Sequence, residues 1–295
     1  MSARVLCAGR LYCDVVFTGS PRLPTLGTEV FAEGLSLHAG GGAFITGATL
    51  SALGDHASQL SVLPAAPFDA PVLAQLKAQN VSSKLCAAAP KGSDPQITVA
   101  IPCGNDRAFL TRAPGAALPS VDVAELAGFS HLHIGELGTL EEVPGLLDLA
   151  REAEMTVSLD CGWQDKFSVE AATLIEKVDV FLPNQRELEA LMSVGVPELC
   201  ASLTVVKNGE NGARAITRGQ SIWLQERSKP VPMVDATGAG DAFNGGFVSQ
   251  WLKGASLEAC LRQGNFCGAA SVQSAGGVGG LSSLSSLELA ETIPQ

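Results

Sequence analysis

Basic residues are scarce. Against 30 Asp and Glu the 295-residue chain carries 19 Lys and Arg, giving a formal charge of -11, and no run of five or more basic residues occurs. That excludes nucleic acid and anionic membranes as expected partners. A phosphate-bearing ligand would need positive potential concentrated at helix N-termini, a metal ion or a few side chains. No apolar run reaches the roughly 18 residues of a membrane helix. The apolar stretch near Arg4 to Ala8 is too short for a signal-peptide core, so a cytoplasmic location is expected. Cys-x-x-Cys is missing as well: Cys7, Cys13, Cys86, Cys103, Cys161, Cys200, Cys260 and Cys267 are spread through apolar segments and read as reduced, mostly buried residues. His131 and His133 alternate on a strand, with no Cys or carboxylate at metal-ligand spacing. No Walker loop occurs, and the first strand lacks Gly-x-Gly-x-x-Gly, which disfavours a nicotinamide-dependent dehydrogenase.

What is present is apolar. A chain with 46% hydrophobic and 17% charged residues can bury one large α/β core. Apolar strands are expected at 4–8, 57–63, 131–134, 156–159, 178–182 and 203–206. Helical patterns near 43–53, 70–79, 142–153, 168–177 and 185–193 lie between or beside them, and two long ones follow at 238–253 and 256–273. This alternation marks a mostly parallel sheet covered on both faces. Two stretches break it, about 12–38 and 95–112, the second a hairpin around Gly104-Asn105-Asp106. They are expected to pair into a small separate β-sheet that acts as a lid within a single domain.

The chemistry concentrates in Asp235-Ala-Thr-Gly-Ala-Gly-Asp-Ala-Phe243. Gly238, Ala239 and Gly240 open a long apolar helix, where small residues let backbone N–H groups face an anion and the helix dipole adds positive potential. Asp241, in the first turn, can point at the same space, the geometry a base needs beside a phosphoryl acceptor.

The string Asp-x-Thr-Gly-Ala-Gly-Asp-x-Phe resembles the C-terminal signature of the ribokinase/PfkB carbohydrate kinases. The resemblance implies a three-layer α/β/α sandwich with a small β lid and phosphoryl transfer from ATP with Mg²⁺. Asp241 would be the base, Gly238, Ala239 and Gly240 the anion hole, and Asp235 with Thr237 a loop for a monovalent cation such as K⁺. Asn184-Gln-Arg-Glu187 is similar to the family's Asn-x-x-Glu motif, which organises magnesium largely through water. Lys207-Asn-Gly-Glu-Asn-Gly212 resembles its nucleotide-side turn, with Gly209 and Gly212 beside ATP, and Asn265 and Gly276-Gly277 fall where the family makes its adenine pocket. Gly9-Arg-Leu-Tyr-Cys-Asp14 is similar to the first-strand motif whose carboxylate receives substrate hydroxyls, and Gly40, Gly41 and Gly42 to the N-terminal glycine signature.

One position departs from the pattern. Where many members place an Asn for a vicinal diol, this chain has Ile45, and Thr46 is the neighbouring hydroxyl that could substitute in part. Arg107 and Arg112 lie in a stretch similar to one that carries a carboxylate-binding Arg in sugar-acid kinases of the family. A ketose or other neutral sugar is expected ahead of a sugar acid of the 2-keto-3-deoxygluconate kind and a nucleoside. The reading from another class is a non-catalytic sugar- or nucleotide-binding regulator. Val15, Phe17, Val30 and Phe31 suggest a homodimer through the lid.

Overall fold

The computed structural model describes residues 2–103, 106–274 and 276–284. In chain order the elements are β1 (Arg4–Ala8), β2 (Tyr12–Thr18), β3 (Gly34–Gly40), α1 (Gly42–Ala52), β4 (His56–Val62), α2 (Asp69–Ala78), β5 (Ser82–Ala87), β6 (Ile97–Cys103) and β7 (Asp106–Arg112). There follow β8 (His131–Ile134), α3 (Leu137–Glu142), α4 (Leu146–Glu152), β9 (Thr156–Leu159), α5 (Ala171–Ile175), β10 (Val180–Phe181), α6 (Gln185–Ser193) and β11 (Leu203–Lys207). The last are β12 (Ala213–Thr217), β13 (Leu224–Glu226), α7 (Ala239–Leu252) and α8 (Leu257–Ser271).

Nine strands form the main sheet in the order β13-β12-β11-β10-β9-β8-β1-β4-β5. It is parallel from β11 to β5, and β12 and β13 extend it antiparallel. The apolar runs follow from burial on both faces. On β1, Val5 and Cys7 join the cluster that includes Phe44 of α1, Phe247 of α7 and Leu261 of α8. Leu6 and Ala8 join the opposite cluster with Leu137, Leu140 and Leu146 of α3 and α4. Each fully buried Leu or Phe stabilises the fold by about 1.5–3 kcal/mol.

The second sheet, β3-β2-β6-β7, pairs the two stretches that broke the alternation. β2 runs antiparallel to β3 from Tyr12↔Gly40 to Thr18↔Gly34 and parallel to β6 from Cys13↔Ile97 to Val16↔Ala100. Several local expectations change. β3 begins at Gly34, after the Pro- and Gly-broken segment, and the helix expected over 142–153 is confined to α4, with the short helix α3 lying before it. β5 was not anticipated, its sequence Ser-Ser-Lys-Leu-Cys-Ala being too polar to read as a buried strand. Val15 and Phe17 sit on β2, an interior strand, so edge pairing between copies would run through β3 or β7. Gly104 and Asn105 of the expected hairpin tip lie outside the described residues. Seven of the cysteines are free thiols, and the Cys103 side chain lies outside the described set. His131 and His133 are core residues bonded to Ser158, with His131 also meeting Thr156.

Candidate active site

Successive parallel strands each deliver one polar residue at their C-terminal end, the edge where open α/β sheets bind ligands. Glu136 follows β8, Asp160 follows β9, Asn184 follows β10, and Lys207 ends β11.

Against this edge stands the N-terminus of α7. Its first helical residue is preceded by Gly238 in the left-handed conformation (φ 71°), and no side chain caps it. The cap glycine is packed tightly: a Cβ there would lie 2.8 Å from Ile45 Cδ1 and 3.0 Å from Gly277. Asp235 fixes the approach to the helix, its Oδ1 accepting from Thr237 N (2.7 Å) and its Oδ2 from Gly276 N (2.9 Å). The Ala239 amide donates to Ala236 O at 3.3 Å. Thr46, fully buried, donates its hydroxyl to the Asp241 carbonyl at 3.1 Å. That bond commits the hydroxyl to α7 rather than to an acceptor.

The glycine triplet explains how two carboxylates share one cleft. A Cβ on Gly40 would collide with the Asp14 carboxylate, and one on Gly42 would lie 2.6 Å from Asp241 Oδ1 and 3.0 Å from Gly135 O. Gly41 (φ 113°) has a backbone that L side chains rarely adopt and presses on the Arg10 carbonyl. Side chains at 40 and 42 would therefore occupy ground that Asp14 and Asp241 need. Burial pushes Asp14 up to about 6, with a hydrogen bond from Thr98 opposing.

Beneath the first turn of α7 lies a buried ionic group. Lys207 Nζ donates to both Asp160 oxygens (2.9 Å each) and to Asn244 Oδ1 (3.1 Å). Asp160 also accepts from Asn244 Nδ2 (2.6 Å) and Cys161 N (2.8 Å). A Cβ on Gly240 would be 3.3 Å from Lys207 Nζ. The structure thus places Lys207 under the expected anion hole, with its ammonium committed to Asp160 and Asn244. Burial works against the Lys207 charge, but Asp160, Glu187 and Asp241 outweigh it and raise its pKa. Burial likewise pushes Asp241 up to about 8, aided by Asp160, Glu187 and Glu136 and opposed by Lys207.

Asn184 and Glu187 form a reciprocal capping box at the start of α6: Asn184 Oδ1 accepts from Glu187 N (2.9 Å), and Glu187 Oε2 from Asn184 N (2.7 Å). The i,i+3 spacing suffices for that box. Burial raises the Glu187 pKa to about 7, with Asp160 adding to the rise and Lys207 opposing.

On the expected nucleotide side, Gly209 and Gly212 both have positive φ, and a Cβ on Gly212 would strike the Glu226 carbonyl. Asn265 Nδ2 donates to that same carbonyl at 3.1 Å, tying α8 to β13. Asn265 is therefore a tie between elements beside this turn. Arg112 is placed away from the carboxylates: it pairs with Asp94 on the outer strand β7, both side chains about 60% exposed. Arg107 lies on the same strand opposite Pro102, and its side chain is outside the described set.

Four site residues were not anticipated: Arg10, Glu136, Asp160 and Asn244. Arg10, 9% exposed, sits where β1 crosses into the small sheet. Its guanidinium holds Gln96 Oε1 (3.0 Å), Gly115 O (2.9 Å) and Glu142, and its backbone N–H donates to Glu136 Oε1 at 3.3 Å. One residue thus joins the entry to β6 and the exit from β7, through its guanidinium, to the cleft carboxylate, through its backbone N–H. The detectable signal for Glu136 and Asp160 was an acid directly after a parallel strand; Asn244 lies one turn beyond Asp241, and nothing in sequence marked Arg10.

Comparison with known proteins gives the family and the fold. A model of the pfkB family of carbohydrate kinases matches residues 5–283. The chain is 30% identical over 243 residues to the 2-dehydro-3-deoxygalactonokinase of Haloferax volcanii, covering 72% of this chain and 75% of that relative. It is 36% identical over 110 residues to an uncharacterized sugar kinase of Archaeoglobus fulgidus, 35% of this chain and 43% of the relative. It spans about half the length or less of three curated relatives that it matches. A solved structure of Arabidopsis thaliana ribokinase, complexed with ribose and ATP, superposes with a TM-score of 0.81 over 99% of this chain and all of that one at 20% identity, which speaks for the fold.

Proposed function

Since this chain belongs to the pfkB family of carbohydrate kinases, we propose that it transfers the γ-phosphoryl group of ATP to a hydroxyl of a small polyol acceptor, with Asp241 as the base. The observation that carries this is the placement of Asp241 in the first turn of α7, against Gly42 and near the Lys207–Asp160 pair.

In that reading the acceptor hydroxyl lies between Asp14 and Asp241, the carboxylates for which Gly40 and Gly42 leave room. Its oxygen attacks the γ-phosphorus in line, its proton passes to an Asp241 oxygen, and the bond to the β,γ-bridging oxygen breaks to release ADP. A carboxylate is a weak base toward an alcohol, so the proton moves late, as the new bond forms. The amides of Gly238 and Gly240 and the dipole of α7 would face the charge on the transferring group, the Ala239 amide being held by Ala236 O. The small sheet, anchored through Arg10, closes over the acceptor and keeps water from the phosphoryl group.

A hard cation fits the donor set. Asp160, Glu187 and Asp241 outnumber Lys207, and burial raises both Glu187 and Asp241, with the neighbouring carboxylates adding to the rise. Mg²⁺ keeps much of its water and needs few direct protein ligands. Asn184 and Glu187 would hold Mg²⁺ through that water, and the ion would neutralise charge on the phosphates. Asp235 and Thr237 would form the K⁺ loop.

A neutral sugar is the favoured acceptor. Asp14, Glu136 and Asp241 suit hydroxyl donors, Arg112 is engaged by Asp94, and Ile45 is buried against Gly238 and Gly277. A sugar acid is the second reading, favoured by the relative from Haloferax volcanii. The test is ADP formation from Mg·ATP across ketoses, aldoses, sugar acids and nucleosides, with folded Asp241→Asn as control. A hit that falls about 10²- to 10⁴-fold in the variant supports the mechanism. Normal turnover by that variant removes Asp241 as base, and silence across the panel despite ATP binding favours the non-catalytic regulator.

A further inference from the structure

We propose that the chain carries a second ligand site, for a small multivalent anion of the phosphate kind, in a hollow at the N-terminal edge of β1, β4 and β5, with Arg4, His56 and Lys84 as donors.

The hollow has a volume of about 540 Å³ and is lined by Arg4, His56, Ser58, Asn80, Ser82 and Lys84, with Phe129 on its wall. That volume falls in the range of small-molecule sites. Arg4 opens β1 and Arg10 lies two residues beyond its C-terminal end, so the hollow, at the N-terminal edge of the sheet, is separate from the cleft.

Strand register builds the donor set. Arg4 pairs with His56, and Ser58 pairs with Ser82. With a side-chain period of two, Arg4, His56 and Ser58 share the face of Leu6 and Leu60. Farther along that face α3 and α4 cover the sheet, while at this end the side chains turn polar and cationic. Between Ser82 and Leu85 the pairing shifts by one residue, and Lys84 lies in that irregularity, the kind of bulge that re-aims a side chain. The backbone is fixed: Ala3 O accepts from His56 N, and Arg4 O from Ser130 N, both at 2.9 Å.

The two cations, Arg4 and Lys84, lack acidic partners. Among the described residues Arg4, His56 and Lys84 form no ion pair, and Arg4 stacks over Phe129 at 5.3 Å. The acid on the wall, Glu125, accepts from the Asp122 amide through Oε2 at 3.0 Å as part of a helix cap. On a chain of net charge -11, unpaired cationic side chains around one recess concentrate positive potential where the rest of the surface repels anions. A recess with polar walls selects a compact anion over a nucleic acid or a membrane, and the fixed backbone beneath the donors holds their stems at one edge of the sheet.

Inorganic phosphate is the probe, titrated into the full chain while backbone amide NMR shifts are followed. Saturable shifts are expected at Arg4, His56, Ser58, Ser82 and Lys84. The His56→Gln/Lys84→Gln variant should raise the midpoint about tenfold, equivalent to about 1.4 kcal/mol, with the α7 amides and any turnover unchanged. Shifts confined to residues 238–241, a non-saturating drift that chloride reproduces, or an unchanged midpoint in the variant would each overturn the site. The readout is independent of phosphoryl transfer, so it stands or falls apart from the kinase reading.

Discussion

Replacing Gly42 by Ala separates helix stability from catalytic geometry. Gly42 is the first residue of α1, and Ala is favoured over Gly within helices by up to about 1 kcal/mol, so local propensity alone predicts an equal or more stable protein. The new Cβ, however, would lie 2.6 Å from Asp241 Oδ1 and 3.0 Å from Gly135 O, against an ordinary separation of about 3.5 Å. Gly135 O is main chain directly after β8, tied to the sheet by its N–H to Ala8 O, so the displacement falls on the Asp241 carboxylate or on α1, by roughly 1 Å. A misplacement of that size costs about 10²-fold in rate. With the acceptor identified by the panel, kcat should fall by about that factor while the melting temperature holds or rises. Gly40→Ala, which meets Asp14 instead, should act mainly on acceptor KM. An unchanged kcat in folded Gly42→Ala would refute the contact and, with it, the placement of the base.

Three further outcomes are expected. Because the base must be ionised, kcat/KM should rise with pH through an acid limb well above the ordinary Asp value of about 3.9, toward the value near 8 to which burial pushes Asp241; a limb at the ordinary value would count against that burial. Asp160→Ala leaves buried Lys207 unpaired and should cost about 3–5 kcal/mol in urea unfolding; a loss of under about 1 kcal/mol would show that the pair contributes little. Arg10→Lys cannot hold Gln96, Gly115 and Glu142 together as the guanidinium does. It should raise acceptor KM and increase ATP hydrolysis without acceptor, whereas a loss of stability with unchanged kinetics would make the network merely structural.

Much of the fold was legible because the buried strands are nearly continuous apolar runs. Arg4–Ala8 and Leu203–Lys207 fall where the pattern put them, to within a residue. β5 was missed because Ser82, Ser83 and Lys84 line an edge strand whose pairing is set by β4 rather than by its own hydrophobicity. The Asp235–Phe243 string pointed to the start of α7, and the Asn184–Glu187 spacing showed itself as a capping box. Arg112 was misleading, since an Arg near a glycine-rich turn reads the same whether it faces a ligand or, as here, Asp94.

The sequence by itself determined the layered α/β architecture, the glycine-opened helix and the acid in its first turn, because periodicity, small residues and short-range spacing are local properties. Only the tertiary structure decided that Lys207 turns beneath α7 to Asp160 and Asn244, that Thr46 is spent on the Asp241 carbonyl, and that Arg10 ties the small sheet to Glu136. Those contacts join residues from 37 to 195 positions apart. Such partners are chosen by strand order and by the burial that forces each charge to find an opposite one, and neither is written in the neighbourhood of any single residue.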